Sequence, residues 1–81
     1  MKVRVQFFSR LKDLVREPEA DYEIAQGSTV GELLRQLYDC APALREWDSN
    51  ILVGAGVEFV GRDYVLRPND EIAIMPPVQG G

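Results

Sequence analysis

The sequence predicts an α+β fold, in which a mixed β-sheet carries one long helix on a single face. Period-2 alternation of apolar residues occurs near both ends of the chain, and one strongly amphipathic helical stretch lies between them. A chain of 81 residues has room for a single small core, so we expect one domain. With 46% hydrophobic and 27% charged residues, the composition is typical of a globular protein.

The first strand is predicted at KVRVQFF, residues 2–8, where Val3, Val5 and Phe7 alternate with polar residues. Ser9 is expected to cap a short helical segment, which Pro18 limits. A second strand is predicted at DYEIA, residues 21–25. This part of the chain therefore contributes two strands joined by a short helix.

The main helix has the strongest local signal. Thr29 and Glu32 have the spacing of a capping box, and Pro42 sets the latest possible end. Apolar residues follow the cap at i, i+3, i+4, i+7 and i+8, namely Val30, Leu33, Leu34, Leu37 and Tyr38. This pattern predicts a helix with one buried face.

The remaining elements are shorter. A helical turn is predicted at 42–50, with Leu44 and Trp47 directed into the core, and a strand pair joined by a glycine turn at 51–60. The last strand is EIAIM, residues 71–75, after the turn RPND. This element order is typical of a ubiquitin-like β-grasp, whose first and last strands lie side by side in the sheet centre. We expect a β-grasp domain at 1–75 and a tail at 76–81.

Charge and composition exclude several functions. The net charge is -4 and the nine basic residues are scattered, which disfavours nucleic acid and favours a protein partner with a basic face. No apolar run approaches the ~20 residues of a membrane span, and the N-terminus reads as a strand rather than a signal peptide. With a single cysteine, no internal disulfide is possible. We therefore expect a cytoplasmic protein that binds neither nucleic acid nor a membrane.

The sequence contains no catalytic machinery that we can identify. Without histidine, Ser-His and Cys-His nucleophile systems are ruled out. Cys40 is expected to be buried and inert, Asp70 and Glu71 belong to an ordinary turn, and GAG at 54–56 lacks the lysine and helix of a phosphate loop. We expect no metal site and no bound cofactor.

The segment IMPPVQGG, residues 74–81, indicates a function of its own. Pro76 and Pro77 cannot continue a sheet ladder, and the six residues from Pro76 to Gly81 span at most ~20 Å. Val78 forms the spacer, and Gly80 and Gly81 lack a Cβ, so they would pass a narrow channel. A frayed terminus is the alternative. We favour a covalent handle, that is, a C-terminus whose Gly81 carboxylate forms covalent bonds after a separate ATP-using enzyme has activated it as an acyl-adenylate.

Three segments carry a family resemblance over the whole chain, namely VQFFSRLKDLV, STVGELLRQL and LRPNDEIAIMPPVQGG. The sequence resembles the ubiquitin-like sulfur-carrier proteins, and in particular the small subunits of molybdopterin synthase. Family members often carry Phe-Phe before the prolines, where this chain has Ile74 and Met75, and GAG replaces a more polar turn.

The resemblance implies a partner for each step of sulfur transfer. An E1-like activating enzyme would consume ATP to adenylate Gly81, a sulfurtransferase would be the sulfur source, and Gly81 would become a thiocarboxylate. The large subunit of molybdopterin synthase would receive the tail, and two small and two large subunits would form the working complex. There the sulfur would pass to cyclic pyranopterin monophosphate in molybdopterin (molybdenum cofactor) biosynthesis.

A partner-binding patch follows from strand alternation. Because Phe7 and Ile74 point into the core, Phe8 and Met75 are expected on the opposite, helix-free face, and the resemblance adds Phe59. Phe8 packing under a loop is the alternative. Two further functions stay open. The first is a related sulfur carrier, which feeds thiamine synthesis, tRNA thiolation or cysteine synthesis, or which also tags proteins. The second is a non-covalent interaction module whose tail never reacts.

Overall fold

The computed structural model of the chain describes residues 1–77. The five strands are β1 Lys2–Phe7, β2 Glu19–Glu23, β3 Leu52–Ala55, β4 Glu58–Val60 and β5 Glu71–Met75. The helix α1 spans Val30–Cys40, and two 3₁₀ helices span Ser9–Leu14 and Pro42–Asn50. The predicted tail residues Val78, Gly80 and Gly81 lie outside the described residues.

The five strands form one mixed sheet in the order β2-β1-β5-β3-β4. The central pair β1 and β5 is parallel, with Val5 opposite Ile72 and Phe7 opposite Ile74. The other three pairs are antiparallel. The predicted β-grasp architecture, with the first and last strands adjacent at the centre of the sheet, is therefore confirmed.

The core lies between the sheet and α1. Its centre contains the predicted members from both sides, all 1% exposed or less, namely Val3, Val5, Leu33, Leu37, Ile72 and Ile74. Leu11 and Leu44 extend this core into the two 3₁₀ helices and are also fully buried. The alternation along β1 and β5 thus separates a buried sheet face from an exposed one.

The predicted capping box defines the start of α1. The Thr29 hydroxyl accepts a hydrogen bond from the Glu32 backbone N–H at 3.3 Å, and the Glu32 carboxylate accepts one from the Thr29 N–H at 3.0 Å. At the other end, the Ala41 N–H donates to the Leu37 carbonyl at 2.8 Å, and Pro42 follows. Both ends of the helix are therefore where the sequence predicts them.

Two local predictions in the N-terminal part are wrong. Phe8, not Ser9, is the N-cap of the first 3₁₀ helix, because Phe8 has the extended backbone of a cap whereas Ser9 is already inside with φ 54°. No side chain donates or accepts a capping bond there. The second strand lies two residues earlier than predicted, because β2 pairs with β1 from Glu19 to Glu23, and Ile24 is buried just beyond it.

The expectation that Cys40 is buried is also wrong. Cys40 is the last residue of α1 and is exposed. It lies at the rim of an open cleft that Val15 and Tyr22 also border, so its thiol is outside the hydrophobic core. The buried positions of α1 continue at Ala41, which packs against the core, and not at Cys40, so the helical pattern itself places Cys40 beside the buried face.

Across residues 1–77 the structure has no helix that is both long and apolar enough to cross a membrane, and α1 has only 11 residues.

Candidate functional site

The sheet face opposite α1, which we call the outer face, is divided into a charged half and an apolar half. The charged half lies on β1 and β2. There Arg4 forms an ion pair with Glu19 at 2.7 Å and a second with Asp21 at 3.1 Å. The hydrogen bonds to Glu19 and then to Asp21 raise the pKa of Arg4. Because one guanidinium pairs with two carboxylates, the cluster keeps a net charge of -1.

The apolar half carries the candidate partner surface. Phe59 is 69% exposed, Phe8 is 37% exposed and Met75 is half-buried. Leu52, which lies opposite Met75 in the ladder between β3 and β5, is 36% exposed. We call the side chains of Phe8, Leu52, Phe59 and Met75 the apolar patch. The structure thus brings the three predicted residues to one face.

Leu52 is a member that the sequence analysis missed. The signal for it was the same alternation that identified Phe8, because Val53 points into the core and its neighbour must point outward. The run of hydrophobic residues before Gly54 hid this alternation, since Ile51 is also buried just before the strand. Only the strand register shows that Leu52 lies next to Met75.

A glycine forms the floor of a notch within the apolar patch. Gly54 lies opposite Phe59 on one side and Ala73 on the other. A Cβ added at Gly54 would lie 3.6 Å from the Met75 Cε and 3.7 Å from the Ala73 Cβ, so an alanine would touch both without a clash. The glycine therefore leaves a notch of about 110 Å³ beside Phe59, large enough to receive an apolar group.

The C-terminal segment leaves the sheet directly from this surface. Met75 is both a member of the apolar patch and the last residue of β5, which β1 and β3 hold on its two sides. Pro76 and Pro77 follow and are half-buried, bordering a cleft of about 170 Å³ with Trp47 and Arg10. Residues 78–81 can reach at most about 14 Å beyond Pro77.

A polar network on the helix side has a structural role. The Asp48 carboxylate accepts hydrogen bonds from the Tyr38 hydroxyl at 2.5 Å and from Arg62 Nη1 at 2.7 Å, and Arg62 also donates to the Asp48 carbonyl. The Arg62 carbonyl accepts from the Gly31 N–H at 2.9 Å. These bonds tie the segment after β4 to α1 and to the second 3₁₀ helix.

The protonation states in this network follow from its geometry. Burial, together with the hydrogen bond to Asp48, raises the pKa of Tyr38 to about 12. The hydrogen bond from Arg62, and then that from Tyr38, lowers the pKa of Asp48. Tyr38 is therefore neutral and Asp48 is charged at neutral pH, which is the state that the hydrogen bonds require.

The described residues offer a binding surface rather than a reaction centre. Within residues 1–77 no group of three or more cysteine, aspartate or glutamate side chains is placed to hold a metal ion. The conspicuous features are the apolar patch and the segment that leaves it at Pro76. This arrangement suits a protein that docks by its sheet face and presents its C-terminal segment to a partner.

The sequence comparisons cover nearly the whole chain. The ThiS family profile matches residues 5–81. The Escherichia coli molybdopterin synthase sulfur carrier subunit is 32% identical over 98% of this chain and 99% of its own length. The corresponding Mycobacterium tuberculosis protein is 30% identical over 100% of this chain and 99% of its own.

Solved structures agree on the fold. SAMP1 from Haloferax volcanii superposes with a TM-score of 0.84 at 26% identity, and the match covers 100% of both chains. The complex of subunits 1 and 2 of the molybdopterin-converting factor from Helicobacter pylori contains a chain that matches with a TM-score of 0.70 at 23% identity, again over 100% of both. This second match shows the fold alone. Because the family profile spans residues 5–81, the chain belongs to the ThiS family of β-grasp sulfur carriers.

Proposed function

We propose that this chain is the small, sulfur-carrying subunit of molybdopterin synthase and that Gly81 carries the sulfur. The observation that supports this most directly is the full-length similarity to two proteins named molybdopterin synthase sulfur carrier subunit. The family match extends through the Gly-Gly pair at 80–81. A handle at the C-terminus also explains why the described residues hold a docking surface instead of a set of catalytic side chains.

The chemistry takes place in three steps on the Gly81 carboxylate. An E1-like activating enzyme transfers AMP from ATP to this carboxylate and releases pyrophosphate. The terminal sulfur of a persulfide on a sulfurtransferase attacks the acyl-adenylate and AMP leaves; a thiol then reduces the resulting acyl disulfide, which releases the thiocarboxylate and leaves the thiol oxidised to a disulfide. Bound to the large subunit, the thiocarboxylate gives its sulfur to cyclic pyranopterin monophosphate, and water restores the carboxylate. ATP is consumed by the activating enzyme, and this chain holds no cofactor.

In this proposal the residues of this chain bind the large subunit and orient the C-terminal segment. The apolar patch would dock on the large subunit, with Phe59, on the edge strand β4, offering the most exposed apolar side chain of the patch. Arg10 and Lys12 are exposed at the edge of this surface, where charges mainly change the rate of encounter. Pro76 and Pro77 would deliver the last four residues into the large subunit, and two copies of each subunit would form the complex.

Intact mass measurement after activation tests the proposal. With a matching activating enzyme, ATP and a sulfur source, the full-length protein should first gain one adenylyl group and then finish heavier by one sulfur-for-oxygen exchange. Deletion of Gly81 shortens the reach by ~3.3 Å and should abolish sulfur donation, and Gly81→Ala should impair it severely. Arg35→Gln, at an exposed position of α1 away from the apolar patch, is the matched control and should react as the unchanged protein does.

One appended residue separates the carrier from a docking module. A residue added after Gly81 blocks the carboxylate that reacts, but it leaves the apolar patch unchanged. The carrier should then keep its affinity for the large subunit and lose molybdopterin formation. Full molybdopterin formation by the extended protein, or by the deletion variant, would contradict the carrier function. It would favour the alternative of a non-covalent interaction module.

A second candidate is a carrier that also modifies proteins. The structure of SAMP1, a small archaeal modifier protein, matches this chain over its full length at 26% identity, which favours this candidate. A modifier would form an amide between Gly81 and a lysine of another protein, so tryptic peptides whose lysine carries residues 63–81 of this chain should appear, since Arg62 is the last residue after which trypsin cleaves. Carriers for thiamine, tRNA thiolation or cysteine synthesis would accept activation but fail with the large subunit.

A further inference from the structure

The cleft at the base of the C-terminal segment is lined by three parts of the chain that are far apart in sequence. Ser9 and Arg10 come from the first 3₁₀ helix, Trp47 from the second, and Pro76 and Pro77 from the segment after β5. The cleft has a volume of about 170 Å³. It adjoins the apolar patch, because Met75 immediately precedes Pro76.

The two walls of this cleft are anchored in the core. Leu11 and Leu44 are fully buried, and each fixes one of the 3₁₀ helices. The Phe8 N–H donates to the Ile74 carbonyl at 3.0 Å, which attaches the start of the first helix to β5. Trp47 is half-buried and packs against the core, so its ring is a fixed surface rather than a free side chain.

The two prolines need such a surface. They have no N–H, so they cannot extend the ladder between β3 and β5, whose last pair is Leu52 and Met75. Their φ angles are fixed, so the direction of the chain after Met75 depends on few rotations. Both prolines are nevertheless half-buried, and they border the same cleft as Trp47.

The geometry points to Trp47 as a positioning residue, a wall against which Pro76 and Pro77 are held so that the last four residues leave the domain in one direction. This inference rests on the proposed function for its consequence, but the contact itself can be measured without any sulfur chemistry. Trp47 touches neither the sulfur nor its acceptor in this role. It acts through the direction of the segment that carries Gly81.

A fixed direction would matter because the reaching segment is short. Four residues reach at most about 14 Å. If the chain left Pro77 in another direction, so short a segment could not bring Gly81 back to the same position. A misplacement of only ~1 Å can slow a reaction about 100-fold. A segment held in advance also loses less conformational freedom when it enters the partner.

Tryptophan fluorescence tests the contact, because Trp47 is the only tryptophan. Three proteins are compared: the full chain, a chain ending at Pro77 and a chain ending at Met75. The first two should share the same emission maximum and acrylamide quenching. The chain ending at Met75 should emit at longer wavelength and be quenched more strongly. Identical emission and quenching in all three would overturn the inference.

Single-turnover sulfur transfer tests the role. Thiocarboxylated protein is saturated with the large subunit, cyclic pyranopterin monophosphate is added, and the loss of thiocarboxylate is followed by mass. Trp47→Ala should slow transfer about tenfold or more without changing the affinity for the large subunit. Trp47→Phe, which keeps an aromatic wall, should restore most of the rate.

Leu14→Ala is the matched control, because Leu14 is also half-buried and packed against the core but does not border the cleft. It should lower the thermal midpoint and leave the transfer rate unchanged. A wild-type rate for Trp47→Ala, or an equal slowing by Leu14→Ala, would overturn the positioning role. A full-length protein that donates no sulfur would instead overturn the proposed function, and the emission alone would then decide the Trp47 contact.

Discussion

Phe59→Ala should weaken binding to the large subunit more than any other single truncation in the apolar patch. Phe59 is 69% exposed, so roughly 140 Å² of a phenylalanine surface of about 200 Å² is available to a partner. At about 25 cal/mol per Å², complete burial of that surface is worth at most roughly 3.5 kcal/mol. Because alanine keeps part of this contact, we expect a loss of about 1–3 kcal/mol.

Phe8 provides the comparison within the same surface. Its exposure of 37% leaves roughly 75 Å² for a partner, worth at most about 2 kcal/mol by the same estimate. The rest of Phe8 is covered by its own domain, so Phe8→Ala should lower the thermal midpoint, whereas Phe59→Ala should not. Isothermal titration calorimetry with the large subunit and thermal unfolding of the free protein measure the two effects separately.

Two results would refute this reasoning. An affinity unchanged by Phe59→Ala, with the large subunit in its native assembly, would show that the apolar patch does not form the interface. A loss for Phe8→Ala that clearly exceeds the loss for Phe59→Ala, at equal stability, would show that exposed area does not rank these contacts. Lys12→Gln serves as the control at the edge and should change the association rate more than the affinity.

Three further predictions concern the core, the notch and the polar network. Leu37→Ala should lower the free energy of unfolding by about 2–5 kcal/mol in urea denaturation, because Leu37 is 1% exposed. Gly54→Leu should fill the notch beside Phe59 and weaken binding in calorimetry about tenfold or more, with little change in the thermal midpoint. The pKa of Tyr38 is raised from its ordinary 10.0 to about 12 in the folded protein. The stability that neutral Tyr38 contributes is therefore complete below pH 10 and is lost as the pH rises towards 12. Tyr38→Phe should remove this alkaline loss in unfolding midpoints measured across that range; an unchanged loss would contradict the assignment.

Most of the fold could be predicted because its signals are local. The capping box at Thr29 and the apolar stripe of α1 both lie within a few turns of the helix that they define. The strand Glu71–Met75 was predicted to the residue, since the preceding turn marks its start and the alternation of Ile72 and Ile74 marks its buried face. The prediction failed at the start of β2 because pairing with β1 sets that boundary, and at Ser9 because the extended backbone of β1 continues through Phe8, which becomes the N-cap.

The candidate site was predicted only in part. Phe8 and Met75 could be placed on the outer face by alternation, and Phe59 by family resemblance. The strand register places Phe59 and Met75 on the same face of the sheet. Leu52 was missed, although the same alternation applies to it. The roles of these residues in binding, and of Gly81 in sulfur transfer, stay predictions that the experiments above address.

The sequence by itself determined most of the elements and the buried face of each, because these depend on residues close together in the chain, and it predicts a reactive C-terminus that the experiments above test. Only the tertiary structure decided which distant residues meet. The notch at Gly54 requires β3, β4 and β5 in one register, and the cleft at Trp47 requires two 3₁₀ helices to flank the end of β5. The cleft brings together residues as distant in the chain as Ser9 and Pro77, and local periodicity contains no information about that pairing.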